Sequence, residues 1–375
     1  MAKSSLVFLL SLSIFLAILS KPVLAQTSSS DQFYQAEVKQ VLESGQRNIE
    51  GIINPYQVVE VQIENGDRQG ETVTIQHGVE FTIDRSLLVK PGERVVLLGS
   101  TDLDGQIFYQ IIDKYRLDKI YYLVGIFFLA IILLSRFQGL GSILGMVFSL
   151  GVIIKFIVPE ILAGNDPLVV SIIGSFVIMF FSIYLAHGLS KKTTIALVST
   201  FFTLVFIGLI SVFFVSFAKL TGLSSEEAYS LRLGLPTADI NIKGLLLGGI
   251  LIGSLGVLDD ITTGLSASIF ELSAANPKYT FRELYRSGTN IGKEHIASLV
   301  NTLVLAYAGA SLPIFLILIL NPASYPLWAT LNNEAIVEEV VRTLAGSFGL
   351  LLAVPLTTFL AAFYITEVSE KNNPS

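Results

Sequence analysis

Apolar runs long enough to cross a lipid bilayer recur through the last two thirds of this chain, and they leave few folds open to it. A spanning helix needs about 20 predominantly apolar residues. Seven such runs lie at Ile120 to Leu134, Ser142 to Val158, Pro167 to Leu189, Thr193 to Phe217, Ile242 to about Thr263, Ile296 to Leu320 and Leu344 to Ile365, the first two being short. In hydrocarbon a segment must satisfy its own backbone N–H and C=O groups, so runs of this length predict helices. Of the 375 residues, 52% are hydrophobic and only 14% charged, and the mean hydropathy is +0.68. These values fit repeated lipid-buried spans better than one soluble core. The expected fold class is a polytopic α-helical membrane protein, with a helical domain over 120–366, a short tail over 367–375, and the lipid bilayer as its first partner.

The first 25 residues read as a targeting signal. Lys3 precedes an apolar run from Leu6 to Leu19, and Val23-Leu24-Ala25 supplies the small-residue pattern that a signal peptidase accepts, which predicts cleavage after Ala25. Residues 26–119 then show a β pattern. Val59, Val61 and Ile63 alternate with Glu60, Gln62 and Glu64; Asn65-Gly66 breaks the run, and Thr72 to Ile75 resumes it as a hairpin. Phe33 to Leu42, Arg94 to Leu98 and Gln106 to Ile112 supply further strands, so the expectation is a small, partly closed barrel resembling an OB-fold. The lone His77 there has no partner at metal-ligand spacing, and a scaffolding or docking role fits this domain better than catalysis.

Loop basicity sets the orientation. With the β domain outside, the cytoplasmic connections carry Arg136, then Lys191 and Lys192, then Lys278, Arg282, Arg286 and Lys293. The opposite loops carry only Lys219, Arg232, Lys243 and Arg342, so the positive-inside rule agrees with the signal peptide and places the carboxyl terminus in the cytoplasm. No basic stripe points to nucleic acid. Cysteine is absent, which excludes disulfides, thiolate metal sites and a cysteine nucleophile. No cofactor and no metal site are expected.

Chemistry concentrates between Gly253 and Ser311. Gly249, Gly253, Gly256, Asp260 and Gly264 follow at steps of four, three, four and four, which puts them on one helix face. Small residues so spaced let another helix approach closely, and Asp260 is expected to face that packed seam. Asp259 starts a neighbouring stripe with Thr262, Thr263 and Ser266, and Glu271 lies close to the face of Asp260. Ionisable groups in hydrocarbon are costly unless paired, hydrated or protonated, so both aspartates are candidate site residues; solvation at the cytoplasmic rim is the alternative. In the next span His295, Ser298, Asn301 and Thr302 form a polar stripe, either as glue between helices or as further ligands for an ion or small solute. Lys155 reads as a helix-end anchor, His187 as a helix-end residue with no special role, Pro355 as an ordinary membrane-helix proline with a bend as the alternative, and Glu338, Glu339 and Arg342 as a solvated or interfacial face.

GSLGVLDDITTGLSASIFEL, SGTNIGKEHIASLVNTLVLAYAGASLP and EEVVRTLAGSFGLLLAVPLTT closely resemble the YibE/F family of bacterial multi-pass membrane proteins. Residues that match its pattern are Gly256, Asp260, Glu271, Gly288, Asn290, Gly292, Asn301, Thr302, Tyr307, Gly309, Glu339, Arg342 and Pro355. The resemblance implies a polytopic fold behind an extracytoplasmic β segment and a transport role without a named substrate. In some members the position of Asp259 is apolar, which favours Asp260.

Two function classes lead. One is a permease or transport component whose polar seam binds an ion or small solute; the other is a non-transporting accessory protein whose β domain docks another envelope protein. A homo-oligomer is a further partner expectation. An intramembrane hydrolase is third. Such an aspartyl enzyme needs carboxylates on two facing helices within a GxGD pattern, whereas this chain reads GVLDD and no second span has a central Asp. No Walker-type loop is present, so transport would draw on a gradient or a separate energising subunit.

Overall fold

The computed structural model describes residues 32–49, 52–79, 82–101, 107–234, 240–320 and 326–372. The expected signal peptide, Met1 to Ala25, and the last three tail residues lie outside them. The chain divides near residue 130 into a unit that holds the sheet and a helical unit from Ile131 onward.

Five antiparallel strands make the sheet: β1 (Gln32–Ile49), β2 (Ile52–Ile63), β3 (Thr72–His77), β4 (Arg94–Thr101) and β5 (Ile107–Lys114), in the order β3-β2-β1-β4-β5. The edge strands β3 and β5 approach each other without exchanging ladder bonds, as in a partly closed barrel. The alternation read from the sequence sets the register. Val59 pairs with Ile75 and Val61 with Val73, while Ala36 pairs with both Ile63 and Val95, so one face buries Tyr34, Ala36, Val38, Val61 and Leu97. Gln57 is buried but satisfied, since it donates to the Val89 carbonyl at 3.1 Å and accepts from the Val89 amide at 2.8 Å.

The first strand is longer than the expected Phe33 to Leu42. Register shifts at Val38/Gln40 and Val41/Glu43 mark irregularities in the β1–β2 ladder, and beyond them the pairs run on from Glu43↔Val58 to Ile49↔Ile52. From Gly45 and Tyr56 outward this ribbon passes the end of β3, and its Asn54 and Pro55 are buried, the Pro55 carbonyl lying against Gly78.

His77 tests the packing of this unit. Its Nε2 donates to the Leu87 carbonyl at 3.1 Å, and burial, aided by the charge of Lys114, holds the imidazole below the ordinary value of 6.5. The unfolded chain therefore takes up a proton that the folded one resists. The contribution of His77 is complete above the unfolded value and falls as pH drops below about 6.5, by at most ~1.4 kcal/mol per pH unit. Amide-exchange protection of β2, corrected for intrinsic exchange rates, should fall over that range in the full chain, and His77→Gln should flatten the dependence.

The helical segments are α1 (Leu117–Arg136), α2 (Gln138–Leu162), α3 (Pro167–His187), α4 (Lys191–Phe217), α5 (Glu226–Gly234), α6 (Ile242–Ala275), α7 (Phe281–Ala310), α8 (Leu312–Ile319), α9 (Leu327–Leu331) and α10 (Glu334–Asn372). Among the described residues six of these, α1 to α4, α6 and α10, are long and apolar enough to cross a membrane. Polar caps fix their starts. Asp166 accepts from the Leu168 and Val169 amides ahead of α3, Ser190 from Thr193 ahead of α4, and Asn241 from Gly244 ahead of α6. Thr280 and Glu283 close a capping box on α7. Arg136, with φ at 50°, separates α1 from α2.

The expected span Ile296 to Leu320 is not one continuous helix. It breaks at Ser311, ahead of Pro313, which has no N–H to continue the ladder, and the first half belongs to α7, whose charged start keeps it below the other spans in hydropathy. Two other helices outrun their apolar runs. α6 continues from Thr263 to Ala275, and α10 starts at Glu334 instead of Leu344.

In the helical unit α6 packs against α3, α4, α7 and α10. Buried hydroxyls tie the helices together: Ser199 bonds Thr357 at 2.5 Å, Thr200 bonds Thr262 at 2.7 Å, and Ser266 donates to the Lys192 carbonyl at 2.8 Å. In an apolar surround these pairs satisfy both partners and fix the rotational setting of α4 against α6 and α10.

Candidate functional site

The glycine face of α6 is open. Gly249, Gly253, Gly256, Asp260 and Gly264 are all exposed. A Cβ added at Gly256 or Gly264 would meet nothing within 4 Å, and one at Gly253 would lie 3.5 Å from the Tyr307 hydroxyl. This corrects the expected packed seam. The close approach is made elsewhere, by Gly248, whose added Cβ would lie 2.3 Å from the Ser171 hydroxyl, while Leu247, Ile250, Leu251, Leu255 and Leu258 fill the packed sides of the helix. Periodicity identifies a face but not what covers it.

Beside that face lies a cavity of about 230 Å³ between α2, α3 and α6. Its polar lining is Ser149 from α2, Ser182 from α3 and Asp259 from α6; Ile153, Ile178, Met179, Ile183, Ile252 and Leu255 give apolar walls, and Gly256 joins it to the open face. Asp259 Oδ1 is buried without a hydrogen-bond partner among the described residues. An unpaired carboxylate oxygen in such a place is costly, which makes the position a candidate site. Asp260 is exposed on the open face, and His187 at the end of α3 is within electrostatic reach of it.

The α2 wall has a local cause. Pro159 cannot donate to the helix ladder, and just before it the Val158 amide reaches back five residues to the Ile153 carbonyl, giving a π-turn over Ile153–Ile157. Such turns recur at functional sites, and this one carries the cavity-lining Ile153. In the sequence the segment reads as a plain span, and Pro159 is the one local signal of the turn.

The other singled-out residues lie away from the cavity lining. His295, Ser298, Asn301 and Thr302 are exposed on α7, with the Thr302 hydroxyl donating to the Ser298 carbonyl at 3.0 Å. Tyr307 beside Gly253 and Gly288 against Ile269 show that α6 and α7 run antiparallel, so Asp260 falls at about the level of Leu299, close to Asn301. Thr263 donates to the Asp259 carbonyl at 2.7 Å, and Glu271 is exposed and 3.9 Å from Lys192. Toward the other end, Arg342 pairs with Glu339 at 3.2 Å and lies over the Tyr307 ring at 5.8 Å, beside Gly249. Glu338 is buried and not on the solvated or interfacial face expected for it. Gly288 and Gly292 are the packed glycines of α7, against Thr358 and Val354 of α10; Asn290 and Gly309 are exposed, and the α10 helix continues through Pro355.

The sequence of this helical region settles the family. A family model described as YibE/F-like protein matches residues 123–367. The chain belongs to that family. The YibE/F-like match takes in both aspartates, the cavity and every residue singled out on α6, α7 and α10, and it leaves the β strands outside. No curated protein and no solved structure matches the chain. With its long apolar helices, this YibE/F-like chain is a membrane protein.

Proposed function

We propose that the chain is a permease or transport component of the cytoplasmic membrane, and that an ion or small solute passes along the open face of α6. The observation that carries this reading is the unpartnered Asp259 oxygen in a cavity that opens, through Gly256, onto a face bearing Asp260. Carboxylates and hydroxyls at membrane depth fit a hydrated binding site far better than contact with lipid. Asp259 and Asp260 are adjacent on one helix and do not face each other from two, which favours binding over acid–base hydrolysis.

In this reading the β domain is extracytoplasmic and α7 with α8 forms a seventh, broken crossing, so the tail is cytoplasmic. Broken helices at a polar site are a recurrent device in transporters. Purified full-length protein in liposomes should move a cation or small solute above the protein-free rate under an imposed gradient. A folded protein that moves none of a broad panel under proton, sodium and potassium gradients would favour the accessory role.

A further inference from the structure

We infer that the Asp259 cavity receives a small organic monocation, an ammonium head carrying a short apolar tail. The inference rests on the permease reading for its biological meaning, but it concerns binding and can be tested without flux.

Charge gives the first argument. The lining holds one carboxylate and no Lys, Arg or His, so one positive charge on the occupant balances it and an anion has nothing to pair with. Hydrogen bonding gives the second. Ser149 already donates its proton to the Gly145 carbonyl at 2.8 Å, which leaves its oxygen as an acceptor. Ser182 presents its hydroxyl from the facing helix, 3.0 Å from where a Cβ on Gly145 would sit. A primary ammonium has three donors and no acceptor, and the cavity offers three oxygen-bearing side chains.

Volume and wall chemistry give the third. One water occupies about 30 Å³ of liquid, so a bare alkali ion would leave most of the 230 Å³ to waters lying against isoleucine, leucine and methionine. A short alkyl tail covers those walls instead. Each methylene it buries should strengthen binding roughly three- to fourfold until the space is filled.

Calorimetric titration of the full chain in nanodiscs, with ethyl-, propyl- and butylammonium chloride, n-butanol, sodium chloride and potassium chloride, tests this. Affinity should rise from ethyl- to butylammonium by that step, and the neutral alcohol should bind at least tenfold more weakly than butylammonium. Asp259→Asn should lose at least tenfold for every ammonium ion at an unchanged melting temperature, while Asp260→Asn should change it less than threefold. Met179→Phe, which narrows the cavity and keeps the carboxylate, should weaken butylammonium more than ethylammonium, and it decides the matter should Asp259→Asn fail to fold. Affinity independent of tail length, or unchanged by Asp259→Asn, overturns the inference. Asp259-dependent binding of sodium or potassium without any ammonium binding also overturns it and leaves the permease reading standing. Ammonium binding by a protein that transports nothing would do the reverse.

Discussion

Asparagine at Asp259 is expected to reduce flux through the reconstituted protein by roughly 10- to 100-fold, the span that corresponds to losing a charge-assisted hydrogen bond of about 1.5–3 kcal/mol. The carboxylate is the one charged group in its cavity, and its buried oxygen has no protein partner to keep the site occupied once the charge is gone. Assembly should survive, because the amide is nearly isosteric and Asp259 Oδ1 bonds to no other helix among the described residues. Asp260→Asn should cost less, since that carboxylate is exposed on the open face. Flux assays on both variants, with expression and melting temperature as controls, separate the two. Equal loss in the two variants would assign the work to the aspartate pair as a whole.

Leucine at Gly141 is expected to be the most damaging change to folding. A Cβ there would lie 2.2 Å from the backbone oxygen of Leu185, and backbone cannot rotate away as a side chain can, so α2 and α3 would have to separate. Overpacking of this kind costs about 1–3 kcal/mol, and more where backbone is the obstacle, a large share of the ~5–15 kcal/mol that holds a domain folded. Gly256→Leu provides the contrast. Its Cβ meets open space, and leucine is a better helix former than glycine by several tenths of a kcal/mol, so folded yield and melting temperature should hold while flux falls because the side chain crowds the mouth of the cavity. A Gly256→Leu protein that fails to fold would place another helix on that face.

Much of this architecture was legible because its causes are local. Apolar run length fixes spanning helices, and the alternation at Val59, Val61 and Ile63 fixes which face of the sheet is buried. Capping residues such as Asp166 and Thr280 mark starts that hydropathy alone blurs. What escaped depends on contacts between distant segments. The spacing of Gly249, Gly253 and Gly256 shows a narrow face but cannot say whether a helix lies on it; here only the tips of Arg342 and Tyr307 reach the first two, and none of the described residues meets Gly256. Asp259 and Asp260 are indistinguishable by neighbourhood in sequence; one helical step of about 100° turns the first toward Ser149 and Ser182 and leaves the second exposed. Those serines lie over 70 residues before Asp259, and no periodicity links them to it.

The most direct test of a hydrated path over α6 uses the absence of cysteine from the sequence, since any single cysteine introduced is then the only thiol. Gly253→Cys and Gly256→Cys, in the membrane, should react with a charged, water-soluble thiosulfonate at rates near those of a loop position, because thiolate forms only where water reaches. Phe213→Cys, 61% exposed on the apolar α4, should stay unlabelled. Labelling of the two α6 positions with protection at Phe213 is the result predicted here, and α6 cysteines as inert as the α4 control would contradict it.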